Sequence, residues 1–131
     1  MKHFLPFLAG FVTFFVISGA YYMGYMGLPE GPCFSSEPDM AFGLIANALF
    51  VALTAYVIQT CGEFSAARGA KHGAIVALTA NGFLNLGLAS MTTLFTTAEA
   101  IQDIVVNIPM MAAAGAVMGI LYNRGEAKNR A

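Results

Sequence analysis

Strongly polar side chains are scarce in the apolar runs of this chain, and those present are spaced regularly. Asn81 and Asn85 stand four residues apart, and Glu99, Asp103 and Asn107 repeat at the same interval. Four-residue spacing puts side chains on one face of a helix, so each set should form a stripe. Thr92 lies close to the first stripe, and Asn47 is a third, isolated amide. An amide brings both donors and acceptors, whereas a carboxylate only accepts. Away from water such groups must find partners. Two outcomes are open. The amides can fasten helices together, each bond contributing on the order of 0.6 to 2 kcal/mol. Alternatively, Asn47, Asn81, Asn85, Asp103 and Asn107 line a small polar pocket or ion path, with Asp103 as its one titratable member.

The residues needed for most other chemistry are missing. The chain has no CxxC, no HExxH and no glycine-rich phosphate loop. The expectation is a non-enzymatic protein without a cofactor. Met23, Met26, Met40, Met110, Met111 and Met118 lack the repeated Met-x-x-Met pairs and histidines of a soft-metal path, and read as packing. No basic block exceeds two residues, so no nucleic-acid partner is expected.

The elements that carry these stripes follow from composition. Of 131 residues 58% are hydrophobic and 10% are charged, against roughly a quarter charged in a soluble domain. Four uncharged runs, Phe4 to Gly27, Met40 to Gly62, Gly73 to Ala98 and Ile104 to Asn123, each approach or exceed the roughly 20 residues that cross a hydrocarbon core. In lipid a backbone must bond to itself, which makes each run helical; the alternation of a membrane barrel is absent. The fold class is all-α, a single transmembrane bundle of four helices, with spans at about 4–27, 40–62, 72–95 and 97–123.

The breaks carry helix-end chemistry. Pro29, Gly31, Pro32 and Pro38 punctuate the first loop, and Ser36 or Glu37 can cap the second helix. Thr96 and Glu99 have capping-box spacing, which starts the fourth helix near Thr97, and Gly125 is expected to end it. Pro109 inside that helix collides with the carbonyl of Val105 and predicts a kink.

Charge gives the orientation. Lys2, Arg68, Lys71, Arg124, Lys128 and Arg130 fall at the two termini and the middle connection, while Glu30, Glu37, Asp39, Glu99 and Asp103 fall at the other connections. The positive-inside rule then puts both termini in the cytoplasm. Cys33 and Cys61 lie at opposite faces, about 30 Å apart, too far for a disulfide. Ser18-Gly19-Ala20 looks like a cleavage site, but the first run of 24 residues exceeds the roughly 7 to 15 of a signal core, so retention is expected. Tyr21, Tyr22 and Tyr25 read as headgroup anchors, and His3 and His72 as lipid-surface residues. Gly69 with Gly73, and Gly115 with Gly119, have the GxxxG spacing that lets helix backbones approach, either within the chain or against a second subunit.

The chain resembles a bacterial family of small four-helix membrane proteins known only as a domain of unknown function. The resemblance rests on Gly19-Ala20-Tyr21-Tyr22, the glycine-bearing entry from Gly69 to Gly73, the Leu94-Phe95 exit, and Asn107 upstream of Met118-Gly119. It implies the four-helix fold and a bacterial cytoplasmic membrane, and no activity. The sequence reading that follows is an accessory or homo-oligomeric membrane subunit, partnered by lipid and by other helices. The alternative is a small transporter or channel with a polar path along helix four.

Overall fold

A computed structural model describes residues 3–26, 40–93 and 96–130, the side chains of 128–130 excepted. All its elements are helical. Helix α1 (Phe4–Met26), α2 (Met40–Cys61) and α3 (Ala66–Met91) are each long and apolar enough to cross a membrane, and so is the Thr97–Ala127 part of α4 (Thr97–Arg130). The first-loop prolines and glycine, the Ser36 or Glu37 cap, Cys33, Lys2 and the Leu94-Phe95 exit lie outside the described residues.

Helix ends follow local chemistry more than charge. Gly62 ends α2 in the left-handed conformation, φ 68°, and its N–H donates to the Gln59 carbonyl at 3.2 Å. Three residues later Ser65, in extended conformation, caps α3: its hydroxyl accepts from the Arg68 N–H at 3.2 Å. The helix thus begins at Ala66, ahead of the expected 72, because Arg68 and Lys71 mark where the chain leaves lipid and not where it stops being helical. At the start of α4 the capping box forms: the Glu99 N–H donates to the Thr96 hydroxyl at 3.2 Å and the Thr96 N–H to Glu99 Oε2 at 2.7 Å. The expected stop at Gly125 does not occur. α4 continues to Arg130, since Glu126, Ala127 and Lys128 are good helix formers beyond the apolar run. It also runs through Pro109 without interruption.

The four helices run up and down, and aromatic contacts bring both ends of the chain together. The rings of His3 and Tyr122 lie 6.1 Å apart and those of Phe64 and Tyr122 5.5 Å, while Gln59 Nε2 donates to the Tyr122 hydroxyl at 2.7 Å. From mid-bundle to this end the core is dense, with Phe14, Val51, Ile58, Met111, Ala114 and Met118 buried. The tightest seam is α3 on α4. A Cβ on Gly69 would overlap the Gly115 carbonyl oxygen and one on Gly115 that of Gly69; Gly73 and Gly119 meet the carbonyls of Met111 and Ser65. The two GxxxG pairs are therefore each other's partners, and backbones this close leave room for nothing larger than hydrogen.

The other end is looser. The buried residues of α2, Val51, Thr54, Ala55 and Ile58, all belong to its second half, and residues 40–46 are exposed. A bundle sealed at the end holding the termini and splayed at the other is the frame for the site.

Candidate solute cavity

Every fourth residue of α1 faces inward: Pro6, Gly10, Phe14 and Ser18 are buried. The next member of this row is Tyr22, at the first position of a π-helical turn, Tyr22–Met26. A second π-helical turn, Ala77–Asn81, interrupts α3 at the same level and ends on Asn81. Such turns insert a residue into the helical register and are frequent at functional sites. Here they bring two polar side chains toward the bundle axis.

These side chains close around Asp103. Tyr22 donates its hydroxyl proton to Asp103 Oδ1. Asn85 Nδ2 donates to Oδ2 at 2.6 Å, and Asn81 Nδ2 to the same oxygen at 3.4 Å. Asn107 Nδ2 donates to the Tyr22 hydroxyl at 2.8 Å and to the Asp103 backbone carbonyl at 2.9 Å. Among the described residues, the carboxyl accepts the bonds from Tyr22, Asn85 and Asn81, each a neutral donor. Asn85 and Asn107 are buried, and Asp103, Tyr22 and Asn81 are half-buried.

The cluster forms one wall of a cavity of about 570 Å³ between all four helices. Its other walls are mostly apolar, with Phe14, Phe15, Leu44, Phe50 and Leu84 among them. Tyr22, Asn47, Asn81, Asp103 and Asn107 face it as the polar group. The volume lies within the roughly 300 to 1,000 Å³ typical of small-molecule sites.

The stripes read from sequence are thus divided. Asn81, Asn85, Asp103 and Asn107 come together; Asn47 lines the cavity but bonds to none of them. Glu99 is turned to its cap, and the Thr92 hydroxyl donates to the Leu88 carbonyl at 2.8 Å. Gly69, Gly73, Gly115 and Gly119 lie in the α3–α4 seam, away from the cavity lining. Tyr22 overturns its expected role as an anchor. Its phenol bridges α1 and α4 through Asp103, as that of Tyr21 does by accepting from Gln102 Nε2 at 3.3 Å, whereas Tyr25, 79% exposed, keeps the outward position. The available signal was Ser18, the buried polar residue one turn before Tyr22 in the inward row. Among the described residues no group of three His, Cys, Asp or Glu side chains could hold a metal ion.

No family model matches the chain, and neither a curated protein nor a solved structure does. The cavity must be interpreted from its own geometry.

Proposed function

We propose that this is a small solute-binding membrane protein of the transporter or channel class, whose ligand occupies the cavity beside Asp103. The observation that carries this reading is a mostly apolar cavity of about 570 Å³ with the hydrogen-bonded cluster of Asp103 on one wall and Asn47 on α2 facing the same space. Helix fastening alone requires paired amides. It does not require an open volume beside them, nor a carboxylate facing it.

An accessory-subunit role would rest on glycine stripes free to seat another helix. Those stripes are used between α3 and α4. By the positive-inside rule we assign the termini to the cytoplasm, so that the cavity belongs to the outer half of a bacterial cytoplasmic membrane. Membership of the four-helix family suggested by Gly19-Ala20-Tyr21-Tyr22 fits this reading and adds no activity to it.

The test is water in the cavity. Spin labels on Asn47→Cys and on Phe83→Cys, in a Cys33→Ser, Cys61→Ser background in nanodiscs, should differ in deuterium modulation from heavy water. Phe83, 85% exposed toward lipid, should give little modulation and Asn47 a strong one. Equal, weak modulation at both would refute a solvated binding chamber.

A further inference from the structure

We propose that the ligand is an organic ammonium, the cationic head of an amphipathic amine, bound beside Asp103 with its apolar body resting against the wall that Phe14, Phe15 and Phe50 form. This deepens the solute-cavity reading and rests on it. The sequence has no lysine or arginine between Lys2 and Arg68 or between Lys71 and Arg124, and its two histidines are His3 and His72. All of these belong to the sealed end or the first residues of the chain, so the end holding Asp103 has no base to neutralise it. Tyr22, Asn81 and Asn85 are neutral donors, which spread the charge without cancelling it.

A half-buried carboxylate bordered by hydrocarbon attracts cations more strongly than one on an open surface, because the effective dielectric around it is lower. A carboxylate offers about four lone-pair positions, and three donors leave room for another. The same cavity is lined by Phe14, Phe15 and Phe50, aromatic side chains that suit the apolar body of an amine. A bare metal ion fits poorly, since hard cations need six or more oxygens and most of this wall is hydrocarbon. An anion would meet Asp103 without a counter-charge.

The probe is one naphthyl body carrying three heads: naphthylmethylammonium, naphthylmethanol and naphthoate. Binding to the full chain in phosphatidylglycerol nanodiscs is read by naphthyl fluorescence, and partition into protein-free discs is subtracted. The ammonium should bind at least tenfold more tightly than the alcohol, and the carboxylate should not bind. Asp103→Asn, which keeps the side-chain shape, should remove that preference. Gly43→Leu fills the chamber from α2, where a Cβ meets nothing within 4 Å, and should weaken all three heads while leaving Asp103 intact.

Equal binding of ammonium and alcohol, or a preference that survives Asp103→Asn, overturns the inference. The solute-cavity reading then still stands on hydration at Asn47, which is measured separately. An ammonium can arrive as a free amine or as an aminolipid headgroup. Adding phosphatidylethanolamine to the discs separates these: competition that requires Asp103 assigns the site to the lipid, and unchanged affinity assigns it to a free amine.

Discussion

The hydroxyl of Tyr22 is the joint of the polar cluster, because it donates to Asp103 and accepts from Asn107. Removing it in Tyr22→Phe should cost about 1 to 2 kcal/mol, the range for a hydrogen bond to a charged group moderated by the small net values found in membranes. Asn47→Ala should cost less than about 0.5 kcal/mol, since Asn47 bonds to none of the cluster. Unfolding in mixed micelles compares the two, and equal costs would mean that the network does not hold the helices. All of this cluster but Tyr22 was legible in the sequence. Asn81 with Asn85, and Asp103 with Asn107, are four apart, and helical periodicity alone aligns each pair. Tyr22 was hidden because its neighbours Tyr21 and Tyr25 suggest an interfacial belt.

At the scale of elements, the α3–α4 seam is the most sensitive contact. A side chain at Gly69, Gly73, Gly115 or Gly119 meets backbone, which cannot rotate away, so the two helices would have to part along their length. Gly115→Leu should therefore destabilise by on the order of 3 kcal/mol or more, beyond ordinary overpacking. Gly87→Ala, on the same α3 but with nothing within 4 Å of its Cβ, should stay within about 1 kcal/mol of the parent. Thermal unfolding in detergent reads both; similar behaviour of the two variants would contradict the seam. The glycine spacing announced a close approach and left its partner open. Only the three-dimensional arrangement pairs one GxxxG with the other. Helix ends were legible where a capping side chain sets them, at Thr96 and Glu99, and misread at Gly125, where a glycine that does not take the left-handed conformation fails to stop the helix.

For the molecule as a whole, the four spans were legible because charge is excluded from lipid and backbone amides cannot be left unpaired there. The chamber was not, since its existence depends on α2 packing through its second half alone. Among the described residues, burial is concentrated at the end holding the termini, and the cavity lies toward the other. The central claim is this polarity, and sided thiol labelling in sealed vesicles tests it most directly. In a Cys33→Ser, Cys61→Ser background, a membrane-impermeant reagent should reach Asn47→Cys from one compartment and Ala127→Cys from the other only. Modification of both from the same compartment would contradict the account.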